Sequence, residues 1–195
     1  MTEIAKAKKW LVLFGEKVIE NEEYLNQLDA AIGDGDHGSN MNRGAQALKY
    51  KLESRDYDDL PDLFKEVGMA LVGKVGGASG PLYGSAFIEM AKKAKESTDF
   101  SDIVSAGLDG ISTCGKARTG EKTMVDMWSH AVDALNEGTL SKDVIDEALT
   151  DTKEMKATKG RASYIGDGSI GYIDPGAQSS AYLFIALLET GVLDD

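Results

Sequence analysis

The chain has 195 residues, 42% of them apolar, a single cysteine and a formal net charge of −12. That acidity excludes a surface built for nucleic acid or for anionic membrane, and one cysteine excludes an internal disulfide. No apolar run reaches the roughly 18 residues of a membrane span, and Met1-Thr2-Glu3-Ile4 has no signal-peptide core, so the expectation is a soluble cytoplasmic protein.

Apolar residues recur at helical spacing along almost the whole chain. The first predicted helix carries Ile4, Ala7, Leu11, Phe14 and Val18, and a short second carries Tyr24, Leu25, Leu28 and Ile32. Met41, Ala45, Leu48 and Leu52 mark the third. Leu60, Leu63, Phe64, Val67, Leu71 and Val75 mark the fourth, with Pro61 suited to its first turn. After Pro81 come Leu82, Phe87, Met90 and Ala94, then Ile103, Val104, Leu108 and Ile111. Met124, Met127, Trp128, Ala131 and Leu135 form the seventh run, and Val144, Ile145, Ala148, Leu149 and Met155 the eighth. The last run, Ala177 to Leu188, is apolar on most sides and is expected to be the most buried. Period-two alternation is confined to a few residues near Tyr164-Ile165 and Tyr172-Ile173, so no strand is predicted. The expected fold is all-α: one domain over residues 1–195, an up-and-down antiparallel bundle of about eight helices joined by short loops. Cys114 reads as a small core residue and His130 as structural.

In such a bundle every second connection lies at the same end. Counted from the second helix, these are residues 33–37, 76–80, 115–123 and 159–175, all rich in glycine or charge. The connections near 54–60, 97–101 and 138–141 read as ordinary turns, so one end of the bundle is predicted to hold a site.

The densest chemistry lies in Leu28-Asp29-Ala30-Ala31-Ile32-Gly33-Asp34-Gly35-Asp36-His37-Gly38-Ser39-Asn40-Met41. Two features argue against a merely solvated acidic loop. Leu28 and Ile32 tie its start to a buried helix face, and Ser39 and Asn40 suit the N-cap of the next helix. Carboxylates favour a hard cation such as Mg²⁺, free helix N–H groups favour phosphate, and a metal-bound phosphate ester satisfies both. Asp29 falls on the last turn of one helix, and Gly33 and Gly35 let the chain fold back so that Asp34 and Asp36 converge on it. Mg²⁺ usually takes one or two carboxylates, so three suggest two ions sharing a bridging ligand. Without cations the aspartates would expel a phosphate by Coulomb repulsion, which Mg²⁺ and Arg161 would offset.

Three familiar motifs fail here. Gly33-Asp34-Gly35-Asp36-His37-Gly38 has the glycine spacing of a dinucleotide fingerprint, but a helix instead of a strand precedes it. The same aspartates fail as an EF-hand loop, whose twelfth position would be Ala45. Gly115 to Thr123 resembles a P-loop, but Glu121 stands between Gly120 and Lys122 and no strand leads in. Ser39, Ser79 and Asp174 each precede or open a predicted helix, either as plain caps or as phosphate-facing ends. His37 stands open as ligand, phosphate donor or spacer, and Met124 and the tyrosines as base contacts or core.

With Gly76-Gly77-Ala78-Ser79-Gly80-Pro81-Leu82-Tyr83-Gly84 and Asp174-Pro175-Gly176-Ala177, the acidic stretch resembles the nucleotide-binding L subunit of dihydroxyacetone kinases, of the type that depends on the phosphotransferase system, over essentially the whole chain. The resemblance implies a barrel-like ring of eight helices with ADP or ATP and two Mg²⁺ at one end. It implies Asp29, Asp34 and Asp36 as metal ligands, and His37, Gly38, Ser39, Asn40, Ala78 and Ser79 as phosphate contacts. Gly115 and Met124 would line the base pocket, and Arg161 with Asp174, Pro175 and Gly176 would close over the nucleotide. Ser39 stands where many relatives have threonine, which keeps the hydroxyl. The implied reaction passes phosphate from bound ATP to dihydroxyacetone held covalently on a partner K subunit. A phosphohistidine of a phosphotransferase-system subunit recharges the ADP, with phosphoenolpyruvate as ultimate donor. No residue of this chain reads as a nucleophile, which suits phosphoryl transfer by positioning and charge. Segment 159–175 is long for a bundle connection and is expected to act as a lid and partner surface. A branch using free exchangeable ATP, a nucleotide-reading regulatory module, and a metal-dependent phosphatase are the competing readings. A homodimer is compatible with the sequence, which sets no oligomeric state.

Overall fold

Residues 2–194 are described by a computed structural model, and among them nine α-helices form and no strand does. They are α1 (Glu3–Glu20), α2 (Glu22–Ile32), α3 (His37–Ser54), α4 (Leu60–Lys74), α5 (Ser79–Lys93), α6 (Phe100–Gly115), α7 (Met124–Glu137), α8 (Lys142–Glu154) and α9 (Pro175–Glu189). A 3₁₀ segment, Arg161–Ser169, lies in the long α8–α9 connection and is kinked at Gly166. Each of the nine apolar runs forms a helix. The two places with strand-like alternation lie in or just after the 3₁₀ segment and form no strand.

Polar side chains start most of the helices. Thr2, Asp59, Asp99, Thr123, Ser141 and Asp174 each accept a first-turn backbone N–H, so α1, α4, α6, α7, α8 and α9 begin at sequence-encoded stops. Thr123 and Asp126 cap each other reciprocally. α3 departs from expectation. It begins at His37, with Asp36 at the cap position making no cap bond, so Ser39 and Asn40 sit inside its first turn and do not precede it.

α1, α3, α4, α5, α6, α7, α8 and α9 follow one another round a ring that closes where α9 packs on α1. α2 is set against α3 and α9. The ring encloses one hydrophobic cluster, with Trp10, Phe14, Phe64, Tyr83, Phe87, Trp128 and Phe184 fully buried. Trp10 stands edge-on to both Phe64 and Phe100 with ring centroids 6.3 Å apart, a favourable quadrupole arrangement. α9 is apolar and buried on most sides, as the last run predicts. Among the described residues no helix is long and apolar enough to cross a membrane.

The α4–α5–α6 wall is drawn tight by glycine. A Cβ built on Gly110 of α6 would lie 2.6 Å from the Ser85 carbonyl oxygen of α5, whereas one on Gly73, near the end of α4, would meet nothing within 4 Å. Gly110→Ala is therefore expected to destabilise the protein by about 1–3 kcal/mol through overpacking. Gly73→Ala is expected to stabilise it by roughly 0.5–1 kcal/mol through helix propensity. Urea midpoints of the two variants check both signs.

Candidate functional site

One end of the ring opens into a cavity of about 790 Å³ whose walls come from the α2–α3, α4–α5, α6–α7 and α8–α9 connections. These are the four connections that the alternation of loops assigns to one end. Asp29, Asp34, Asp36, His37, Asn40, Ala78, Ser79, Gly115, Met124, Arg161, Asp174, Pro175 and Gly176 all line it. Gly38 and Ser39 do not. Gly38 is pressed against α2, where an added Cβ would meet the Glu22 carbonyl oxygen at 1.9 Å. Ser39 is turned the same way: its N–H donates to Asn26 Oδ1 at 3.0 Å, and Asn26 Nδ2 donates to its hydroxyl at 3.0 Å. Both side positions serve the α2–α3 contact behind the cavity.

The acidic turn is built by Asp29. Its Oδ2 accepts the backbone N–H of Asp36 at 2.9 Å and of His37 at 3.0 Å, taking over the capping of α3 from the preceding helix. Gly33 is required for space, since a Cβ there would sit 2.3 Å from Asp29 Oδ1, and Gly35 for its positive φ of 77°. Asp29, Asp34 and Asp36 can each present a carboxylate oxygen so that all lie within 4.8 Å of one another. Three hard oxygen donors at this separation fit Mg²⁺. Burial raises the Asp29 pKa, opposed by its two backbone bonds and reinforced by the charge of Asp34. Arg161 crosses from the 3₁₀ segment to place Nε 3.0 Å from Asp34 Oδ2.

Next to the carboxylates, His37 is 7% exposed, with Nε2 2.9 Å from Ser179 Oγ and Nδ1 3.2 Å from Ser79 Oγ. Asp174 caps α9 by accepting Ala177 N–H at 2.8 Å, and its own N–H donates to Thr152 Oγ1 at 3.1 Å. Met124 and Leu82 give the α5–α7 side of the cavity an apolar surface. Cys114, expected in the core, is exposed on the cavity wall, because α6 ends one residue later and its last turn projects past the packed ring. His130 is structural, with Nδ1 2.8 Å from the Asp126 carbonyl oxygen one turn back.

The DAK2 domain family matches residues 31–189. The chain belongs to that family. It is 53% identical to the ADP-binding subunit DhaL of PEP-dependent dihydroxyacetone kinase 1 of Listeria innocua serovar 6a, over 95% of this chain and 96% of that one. It is 38% identical to the corresponding ADP-binding subunit of Escherichia coli strain K12, over 89% of this chain and 90% of that one. The crystal structure of the dihydroxyacetone kinase from C. freundii in complex with AMP-PNP and Mg²⁺ superposes with a TM-score of 0.77 at 27% identity, over 93% of this chain and 33% of that one. The all-α ring is thus the fold of a DAK2 domain.

One residue of the cavity lining escapes sequence reasoning. Lys122 is 1% exposed, and its amine donates to the carbonyls of Thr152 and Tyr172, tying the α6–α7 loop to α8 and to the α8–α9 connection. The only sequence signal nearby is Thr123-x-x-Asp126, a capping-box spacing that fixes the start of α7. Burial pushes Lys122 down, and the charges of Asp174 and Asp126 oppose this.

Burial also pushes Asp174 up to about 7, opposed by the Ala177 N–H and Lys122, and pushes His37 down to about 4. Asp174 then binds more protons folded than unfolded between its ordinary 3.8 and about 7, so its contribution to stability falls as pH rises through that window. His37 binds fewer protons folded than unfolded between about 4 and its ordinary 6.5, so its contribution falls as pH drops through that window. In metal- and nucleotide-free buffer, Asp174→Asn is expected to gain stability relative to the wild type as pH is raised from 4 to 7. His37→Gln is expected to gain relative to the wild type as pH is lowered from 6.5 to 4. Denaturant titrations at both ends of each window check the two slopes.

Proposed function

We propose that this chain is the ADP-carrying subunit of a phosphoenolpyruvate-dependent dihydroxyacetone kinase, a phosphotransferase. The γ-phosphoryl group of tightly bound ATP passes to dihydroxyacetone held on a partner K subunit, and a phosphohistidine on a phosphotransferase-system subunit recharges the ADP. Residues 1–195 work as one nucleotide- and Mg²⁺-binding domain, in the cytoplasm. The observation that carries this reading is the convergence of three carboxylates, all within 4.8 Å of one another, on the exposed side of a cavity walled by helix starts and spanned by Arg161. DAK2 relatives that are ADP-binding subunits of dihydroxyacetone kinases and a likeness to a kinase holding AMP-PNP and Mg²⁺ support it.

Asp29, Asp34 and Asp36 would hold two Mg²⁺. The ions would supply the positive charge that lets phosphates approach three aspartates. Asn40, Ala78 and Ser79 face the phosphates from the starts of α3 and α5. Gly115 and Met124, with Leu82, offer a flat apolar slot for the base. Arg161 spans the mouth and brings a guanidinium to the phosphate region. Positioning and charge are what phosphoryl transfer requires, and the site holds no side chain arranged as a nucleophile. The lid segment carries Tyr164, 87% exposed, with Ile165, Ile170 and Tyr172 also exposed, which suits it to cover a partner's substrate.

Protein purified without added nucleotide, then denatured, is expected to release about one ADP and two Mg²⁺ per chain, the stoichiometry expected of the bound-cofactor reading. An empty protein that binds ATP weakly would instead favour the free-ATP branch. Asp34→Ala is expected to lose ADP–Mg²⁺ binding by calorimetry as well as K-dependent turnover, and normal ADP binding by that variant would refute the metal-bridged site. ADP–Mg²⁺ is expected to protect segment 159–175 from limited proteolysis, and unchanged cleavage would refute the lid.

A further inference from the structure

Asn40 stands in the first turns of α3, 7% exposed and in the cavity lining. Its Oδ1 accepts a bond from Arg43 Nη2, one turn further along the same helix. Among the described residues no bond leaves its Nδ2. Arg43 does not line the cavity. Arg55 and Arg161 each pair with an aspartate, but Arg43 pairs with no carboxylate among the described residues and gives its guanidinium to this amide instead.

The orientation of the amide follows from its partner. The oxygen and nitrogen of an asparagine have nearly the same shape, so the groups around them decide which is which. A guanidinium carries only donors, so the atom held against Arg43 Nη2 is the oxygen. A flipped amide would set N–H against N–H. Nδ2 is thereby turned to the other side, where it is the atom that a Cβ on Gly77 would approach, at 3.5 Å, and Gly77 is itself cavity wall. Gly76 leaves the pair its room: a Cβ there would run into Asn40 Oδ1 and come within 2.7 Å of Arg43 Nη2. Gly76 does not have a positive φ, so space is what its missing side chain supplies.

We infer that Arg43 is a positioning residue for the nucleotide: it pins Asn40 Oδ1 so that the Asn40 amide offers the cavity its N–H donors, which bind a phosphate oxygen of a nucleoside diphosphate. The charged bond at the oxygen also polarises the amide and strengthens what the nitrogen donates. Pinning the side chain beforehand removes part of the ordering cost of binding. The same amide reversed would turn a hard oxygen to the cavity, where it would repel phosphate and compete for the cation. Arg43 thus assigns Asn40 to the anion and leaves the cation to the aspartates. The inference rests on the proposed function, which supplies the anion.

Arg43 is exposed on α3, and methionine is a comparable helix former, so Arg43→Met is expected to keep the urea midpoint of the wild type. By calorimetry it is expected to weaken ADP–Mg²⁺ binding about five- to tenfold. In an Asn40→Ala background the same substitution is expected to cost less than about twofold, because its effect passes through the missing amide. Unweakened binding by Arg43→Met overturns the inference. So does an undiminished loss in the Asn40→Ala background, which would mean that the guanidinium acts on the nucleotide by charge alone. The side-chain amide signals of Asn40, assigned by their disappearance in Asn40→Ala, are expected to move downfield in ¹H when the wild type is titrated with ADP–Mg²⁺. If Arg43→Met fails to fold, that titration decides. A wild type that binds no ADP overturns the proposed function, whereas ADP binding with the Asn40 amide unmoved overturns only this inference.

Discussion

The site depends on one carboxylate oxygen. Asp29 Oδ2 accepts the N–H groups of Asp36 and His37, and that pair of bonds joins the end of α2 to the start of α3 across a four-residue turn. The turn brings Asp34 and Asp36 back beside Asp29, places His37 under Ser79, and presses Gly38 on α2. A carboxylate placed this way is half-buried and beside like charge, which is costly unless something positive shares the space. Arg161 does so in part, from the far end of the sequence. The geometry that caps a helix is therefore the same geometry that creates a demand for cations.

Charge is separated within the site in a way that the net −12 conceals. The exposed side of the cavity carries the three clustered aspartates and Arg161, while the inner side carries Lys122 between Asp126 and Asp174. The inner group is satisfied by the protein itself: both Asp126 oxygens take backbone N–H groups of the α6–α7 loop, and the lysine amine takes two carbonyls. The outer group keeps acceptor capacity in hand. Buried polar groups that are fully paired fix a shape, and those with spare capacity meet ligands.

The helices were legible because their signal is redundant. Runs such as Leu60 to Val75 repeat the apolar spacing over several turns, and caps such as Asp59, Asp99 and Ser141 mark their starts locally. The end of the bundle that holds the cavity was legible from alternating loop composition alone. The start of α3 was not, because Ser39 and Asn40 have the right chemistry for a cap while the actual cap comes from a side chain seven residues before the capped turn. Lys122 was not, because lysine is ordinarily exposed and only the fold brings two carbonyls to its amine. The reading of the acidic stretch as metal ligands came from residue chemistry, but the roles of Gly115, Met124 and Gly176 came from resemblance, since nothing in their spacing announces a base pocket.

The ring leaves its opposite end plain. The α3–α4, α5–α6 and α7–α8 connections contribute no residue to the cavity wall. Chain can be added there without touching the chemistry, because short polar turns far from a packed or ligand-facing surface tolerate insertion. A fluorescent reporter or an affinity handle spliced into the turn at residues 138–141 would ride on the molecule as a passive load. The same separation suits a fold that also occurs inside longer polypeptides: this chain covers 33% of the C. freundii kinase it superposes on.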